Sequence, residues 1–285
     1  MLRSQSTMIR LPEPSTATST ERRELMEVII APEPELSTLV ADAIETLVRE
    51  DPSPVLGLAT GSSPLSVYDE LTKRHEQEGL SFAEVRAFML DEYVGLPASH
   101  PQSYHNVIDT EFASRVDFAK GAVQGPDGTA EDLRAASAEY DHAIAEAGGV
   151  DLQILGIGTD GHLAFNEPGS SLSSRTRVKT LARQTRIDNA RFFDDDVDAV
   201  PQHCLTQGLG TILEARHLML IATGGHKAEA VHQMVEGPVS SMWPATVLQM
   251  HPHVTILVDE EAASRLQLGD YYRHIYASKL EGQRL

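Results

Sequence analysis

Four short segments of the chain concentrate the residue types that move protons and hold phosphate. The first is Thr60-Gly61-Ser62-Ser63-Pro64, a run of small residues ahead of a helical pattern. Small side chains let a ligand approach the backbone closely, and the free N–H groups of a helix start favour an anion. Phosphate is the natural guest, although taken alone the loop serves equally well as a tight turn. The second is Asp91-Glu92-Tyr93, directly after an apolar run. Two carboxylates beside a sheet core are costly unless they find partners or a purpose. One of them is a candidate general base, and the other reading is a helix-capping or salt-bridging carboxylate.

The third segment is Thr159-Asp160-Gly161-His162, with Glu167 five residues beyond the histidine. Carboxylates flanking an imidazole fix its proton placement and favour its charged form, which suits acid–base work. The fourth is Thr223-Gly224-Gly225-His226-Lys227, where Lys227 near a helix start offers a point charge to a phosphate or is a solvated surface lysine. A fifth feature is one of charge. From Pro168 to Ile187 there is no acidic residue, while Arg175, Arg177, Lys179, Arg183 and Arg186 fall there and Arg191 follows. In a chain of net charge −19 this inversion marks anion sites, a flap closing on an anion, or a basic strip pairing with acidic neighbours.

The elements that must position these segments follow from hydropathy. Apolar runs at Met26–Ala31, 55–60, 85–90, 151–158, 217–223 and 254–259 lack polar alternation and read as buried strands. Helical periodicity separates them over Glu35–Arg49, Pro64–Glu78, Ser103–Phe112, Ala130–Ala147 and about Lys227–Val235, with a closing helix after the last strand. The expected architecture is α/β: a single doubly wound, mostly parallel sheet domain over 26–285, Rossmann-like, with helices on both faces. Each chemistry-bearing segment follows a strand, and in such folds ligands bind beyond the carboxyl ends of the strands. Residues 1–25 are rich in Ser, Thr, Pro and charge and read as a flexible N-terminal tail.

Composition narrows the function classes. The acidic balance opposes binding to nucleic acid or an anionic membrane surface. No apolar run of membrane-spanning length occurs, and no secretory signal core opens the chain. Cys204 is the only cysteine and reads as a buried, inert thiol. No Cys/His pattern suggests a metal, His251-Pro-His253 lacks companion ligands, and no organic cofactor signature is assigned. Asp194-Asp195-Asp196 reads as a solvated turn. The setting expected is the reducing cytoplasm.

Taken together, LATGSSP, MLDEYVGLPASHPQSY, LGIGTDGHLAFNEPGSSLSSRTRVKTL, DNARFFD and GGHKA resemble the glucosamine-6-phosphate deaminase family, from Met26 to about Leu266. The resemblance implies conversion of glucosamine 6-phosphate and water to fructose 6-phosphate and ammonia, without metal or organic cofactor. It implies that Asp91 is the base that moves the C2 proton and His162 the residue that opens the sugar ring, assisted by Asp160 and Glu167. Thr60, Gly61, Ser62 and Ser63, with Arg191 and Lys227, match the phosphate cradle. Ser170, Ser171, Arg177, Lys179 and Thr180 match a second site at which N-acetylglucosamine 6-phosphate activates many members between subunits of a hexamer. Two departures bear on that second site. Tyr271 and Tyr272 do not fall clearly on the tyrosine some members use. Met26, rather than Met1, stands where the first methionine of regulated members would be, so translation starting at Met26 or trimming of the tail is expected if the site operates.

Two rival readings stand beside this one. A 6-phosphogluconolactonase-like hydrolase would share the fold and a similar Asp-Gly-His loop, but Leu-Ala-Phe-Asn-Glu after that loop and the LDEYVGLP segment resemble the deaminase. A non-catalytic sugar-phosphate sensor would need a DNA-binding unit, for which residues 1–25 are too short and too rich in Pro, Ser and Thr.

Overall fold

The apolar runs line up side by side. The computed structural model describes residues 25–279, so the expected tail lies, except for Leu25, outside the described residues. In chain order the elements begin with β1 (Leu25–Ile30), α1 (Glu33–Glu50), β2 (Val55–Leu58), α2 (Leu65–Glu78), β3 (Arg86–Met89) and β4 (Asp91–Tyr93). Next come α3 (Tyr104–Glu111), β5 (Val123–Gln124), α4 (Leu133–Glu146), β6 (Leu152–Leu155), β7 (Arg177–Thr180) and α5 (Arg183–Asn189). The chain continues with β8 (His203–Thr206), α6 (Leu209–Ile212), β9 (His217–Ala222), α7 (Ala228–Glu236), β10 (His253–Val258) and α8 (Gly269–Ala277).

Seven strands form one sheet in the order β1-β10-β9-β6-β2-β3-β5, and every pairing in it is parallel. Its five inner strands are buried along nearly their whole length, as runs without polar alternation require, while the edge strands β1 and β5 are more open. Right-handed crossovers assign the helices to faces. The chain moves one way along the sheet through α1, α2 and α3, which pack in sequence, and returns through α4 and α7 on the other face. The doubly wound expectation therefore holds.

Local chemistry sets the helix ends. Ser103 caps α3 through Asn106 N, and Asp132 caps α4 by accepting from Arg134 N and Ala135 N. The Asp132 cap explains why α4 starts three residues later than its periodicity suggested. Gly79, at φ 69°, ends α2 in the left-handed region that suits glycine.

The sequence reading did not foresee a second sheet. β4, β8 and β7 pair antiparallel in that order. β4 is the immediate continuation of β3, so the small sheet grows out of the carboxyl end of the large one. β7 and α5 occupy the basic stretch between β6 and β8. A separate apolar cluster of Tyr93, Phe165, Leu181, Ala190, Phe193 and Cys204 fastens this flap to the domain. Cys204 is fully buried, as expected.

Candidate active site

The strand order explains why the four segments meet. β2 connects outward to β3, whereas β6 connects the other way to β9, so the crossover direction reverses between the adjacent strands β2 and β6. At such a switch point the two outgoing loops diverge and leave a crevice. Thr60–Ser63 leaves β2, and the loop of Asp160 and His162 leaves β6. The flanking strands β3 and β9 deliver Asp91 and Lys227. Four contiguous strands thus carry the four segments. With neighbouring strands about 4.8 Å apart, the ends of β3 and β6 are separated by roughly 10 Å.

Asp91 and Glu92 divide the two readings of their segment between them. Glu92 accepts hydrogen bonds from Tyr93 N (2.8 Å), Tyr104 N (3.0 Å) and His105 N (2.9 Å), and lies 2.9 Å from His105 Nδ1. It is an anchor for the first turn of α3. Asp91 pairs through its backbone with Thr206 of β8, and no described group hydrogen-bonds its carboxylate. Only 5% of the residue is exposed. Burial, with the Glu92 charge adding to it, pushes the Asp91 carboxyl well above the ordinary carboxylate range. A sequestered carboxylate that holds and releases a proton nearer neutrality is what a general base needs.

After β6 the chain makes a closed turn: Gly161 N donates to Gly158 O (3.0 Å) and Gly158 N to His162 O (2.9 Å). Gly156, Gly158 and Gly161 have the GxGxxG spacing, but no helix follows them, and the chain passes instead into the bridge between Leu163 and Asn166. Gly158 lies beneath His162, and a Cβ there would overlap the imidazole. His162 Nδ1 is 2.7 Å from Asp160 Oδ1, close as an ion pair but not aligned as a directed N–H···O bond. The imidazole side chain is 27% exposed, open enough to meet a ligand. Burial works to raise the Asp160 carboxyl, but His162 overcomes it and holds Asp160 below its ordinary value. Ala164, at φ 50°, takes a left-handed conformation within the same loop.

Glu167 makes its hydrogen bonds toward α5. Its carboxylate accepts from Ala182 N (2.9 and 3.1 Å) and from Thr185 Oγ1 (2.5 Å), at the start of α5. Asp160 is within ion-pair distance of His162, and Glu167 ties the loop after β6 to the start of α5.

The candidate anion loop has free donors among the described residues. The N–H groups of Gly61, Ser62 and Ser63 have no acceptor among the described residues, and Pro64 at the cap of α2 supplies no side-chain oxygen. Thr60 and Ser63 are partly buried, while Gly61 and Ser62 are exposed. Lys227 and Arg191 have no carboxylate partner within ion-pair distance among the described residues. Burial lowers the Lys227 pKa, the Arg191 charge lowers it further, and Asp160 opposes them. Arg191 and Asp160 are therefore near enough to Lys227 for their charges to act on it, as is Asp188.

The basic strip resolves residue by residue. Arg175 follows the bland reading and pairs with Asp141 (3.1 Å) and Glu214 (2.5 Å). Arg186 donates to the carbonyls of Val197 (2.6 Å) and Val200 (3.1 Å). Arg177 and Lys179 lie on the half-buried face of β7, while Val178 and Thr180 face solvent. Thr180 Oγ1 is 3.2 Å from His203 Nδ1, and Ser171 Oγ is 3.3 Å from Ser173 Oγ. Ser170 is buried with its hydroxyl unpartnered. Asp194 and Asp195, at φ 54° and 61°, make the expected exposed turn. Tyr271 is exposed, and the hydroxyl of Tyr272 turns to Glu236. Both ring nitrogens of His251 are engaged by backbone, Nε2 at 2.7 Å from Ala215 O. Among the described residues no helix is long and apolar enough to cross a membrane.

Known proteins are similar to this chain in sequence and fold. The profile of the family described as glucosamine-6-phosphate isomerases/6-phosphogluconolactonase matches residues 33–257. The glucosamine-6-phosphate deaminase of Mycolicibacterium smegmatis is 71% identical over 255 residues, 89% of this chain and 98% of the relative. That of Beutenbergia cavernae is 68% identical over 261 residues, 91% of this chain and 100% of the relative. Among solved structures, a monomeric glucosamine-6-phosphate deaminase superposes with a TM-score of 0.82 at 42% identity, covering 84% of this chain and 99% of its own. The 6-phosphogluconolactonase of Trypanosoma cruzi superposes with a TM-score of 0.69 at 22% identity over 86% of this chain and 98% of its own, a likeness of fold alone.

Proposed function

The chain belongs to the glucosamine-6-phosphate isomerase/6-phosphogluconolactonase family, and from that premise we propose how its site performs the deaminase reaction. The enzyme converts glucosamine 6-phosphate and water to fructose 6-phosphate and ammonia. The lactonase reading rests only on distant likeness of fold, and the sensor reading gives way to an enzyme.

The substrate phosphate binds at the amides of Thr60–Ser63 with Lys227 and Arg191. Binding energy at this remote group positions the reacting carbons. His162, held by Asp160, passes a proton between the hydroxyl at C1 and the ring oxygen, opening the pyranose to the aldehyde. Asp91 removes the proton from C2, giving the enolamine, and returns it to C1. The product is an imine at C2. Water adds there, and the C–N bond breaks to release ammonia and leave the ketone. Every step is a proton transfer or the addition and loss of a small molecule. The observation that carries the reading is Asp91 itself, a buried carboxylate whose neighbour takes every structural hydrogen bond on offer.

Ser170, Ser171, Arg177, Lys179 and Thr180 are the proposed activator site for N-acetylglucosamine 6-phosphate. The Ser170 hydroxyl, which has no hydrogen-bond partner among the described residues, and the cations Arg177 and Lys179, which have no carboxylate partner among them, support it. A homo-oligomer, one catalytic domain over 26–285 and a cytoplasmic setting complete the proposal. A coupled assay for ammonia and fructose 6-phosphate, run with and without N-acetylglucosamine 6-phosphate, tests it. Lactone hydrolysis without ammonia release would overturn the reaction, and identical rates with and without the acetylated sugar would remove the activator site.

A further inference from the structure

The loop that carries Asp160 and His162 is gripped from outside by a segment without ionisable side chains. Trp243, the only tryptophan of the chain, belongs to the turn Ser240–Thr246. Ala245 N donates to Gly161 O (2.8 Å), and Gly169 N donates to Ser241 O (2.8 Å). The turn therefore holds the catalytic loop at two points, Gly161 and Gly169. It is itself stiffened by Thr246, which is fully buried: Ser240 N donates to Thr246 Oγ1 (2.8 Å), and that hydroxyl donates back to Ser240 O (3.1 Å).

Gly161 lies between the two members of the pair. It adopts φ 79°, and the place a Cβ would take is 2.8 Å from Trp243 Cε3 and 3.4 Å from Trp243 Cα. The indole thus bears directly on the backbone of Gly161. On the inner side, Gly158 supports the His162 ring. We propose that Trp243 is a positioning residue for ring opening, its indole pressing Gly161 so that Asp160 and His162 keep their mutual geometry. A flat, stiff aromatic surface suits the task because it fixes backbone position at small cost in side-chain entropy. Displacement of a catalytic group by about 1 Å costs on the order of 100-fold in rate.

This inference rests on the deaminase reading, so the test has two readouts. The first is ammonia release by wild type, Trp243→Phe and Trp243→Ala across a pH series. The second is the titration of the His162 ring followed by NMR, which needs no turnover. Trp243→Ala is expected to lower kcat about 10- to 100-fold. Its KM should stay within about threefold, the pattern of a step lost in the transition state. The His162 titration should shift, and the pH profile of kcat should shift with it. Trp243→Phe, which keeps a flat ring over Gly161, should recover most of both. If Trp243→Ala does not fold, Trp243→Leu, bulky but not flat, is read in the same way. A His162 titration identical to wild type, with any loss of rate uniform across pH, would overturn the proposal and leave Trp243 as core filling. Absence of ammonia release by wild type would strike the deaminase reading instead, and the titration would still decide the role of Trp243.

Discussion

Asp91 and Glu92 are neighbours on one strand and point to opposite faces of it, and among the described residues only the Glu92 carboxylate of the two accepts hydrogen bonds. Their substitutions therefore separate. Asp91→Asn should bind substrate as wild type does and lose about 100- to 10,000-fold in kcat, the usual worth of a positioned acid–base group. Glu92→Gln should cost roughly 1–3 kcal/mol of stability, because it weakens bonds at the start of α3. Steady-state kinetics and denaturant unfolding on both variants check the contrast. Near-normal turnover in Asp91→Asn would remove Asp91 as the C2 base.

Asp91 also links activity to stability through pH. Its folded-state pKa is raised by burial and by Glu92, so the folded protein holds this proton more tightly than the unfolded chain does. The stabilisation from protonated Asp91 is fully present below the unfolded value of about 3.9 and is lost as pH rises through the raised folded value. Asp91→Asn should consequently be more stable than wild type at neutral pH and no more stable in acid below the ordinary carboxylate range. Activity has the opposite sign, since the base form is lost as pH falls through the raised value. Thermal unfolding of the two proteins at several pH values tests the linkage. A difference that grows on acidification would contradict it.

Gly158 offers a clean perturbation of His162. Its φ is not in the left-handed region, so the backbone accepts alanine, and the atoms a new Cβ would meet are those of the His162 ring. Gly158→Ala should lower kcat by about 10- to 100-fold through ring displacement. Stability should change by less than about 1 kcal/mol, since the partly exposed imidazole can swing away. Kinetics paired with thermal unfolding decide. Wild-type kcat would mean that the ring is free to work from another position.

Arg191 and Lys227 should act on binding more than on chemistry. Removing one charged hydrogen-bond donor from a bound phosphate costs roughly 1.5–3 kcal/mol, or about 10- to 100-fold. Lys227→Ala and Arg191→Ala are each expected to raise KM by that order, and added salt should weaken binding less in the variants than in wild type. The Arg191 charge lowers the Lys227 pKa, so Arg191→Ala should shift the alkaline limit of phosphate binding upward. Isothermal titration with an inert sugar phosphate at several pH values measures it. An unchanged limit would separate the two cations.

The sequence made the large sheet legible because its inner strands are buried on both faces and carry their apolar residues almost without interruption. The small sheet was not legible. β7 and β8 are four residues each and mix charged, polar and apolar types, and their pairing is non-local. β5 has two residues, too few for a pattern. The residue types of the site were visible in its loops, whereas their convergence depends on strand order, which periodicity does not encode. Trp243 gave no chemical signal, since its part is contact. The hydrogen bonds of Glu167 to Ala182 and Thr185 at the start of α5 were not foreseen for a related reason: they reach fifteen and eighteen residues onward, where periodicity gives no pairing signal.

That latch sets the last prediction. Thr185 is buried, and its hydroxyl donates to Glu167, while the residues just after α5 bring Arg191 toward Lys227. Asn189, at the end of α5, donates to the Tyr93 hydroxyl (2.9 Å), so the helix is held at both ends. Thr185→Val keeps the side-chain shape and removes one donor, leaving the buried Glu167 carboxylate with only Ala182 N. The expected cost is roughly 1–3 kcal/mol in the anchoring of α5, and it falls on the placement of Arg191. KM should therefore rise severalfold while kcat at saturation, when bound phosphate itself holds Arg191 in place, changes little. Glu167→Gln should produce the same rise in KM if the carboxylate works only through the flap. If it also assists His162, kcat should fall as well. Steady-state kinetics of the two variants side by side distinguish a latch from a catalytic carboxylate, and a fall in kcat alone, with KM unchanged in both, would rule out the latch.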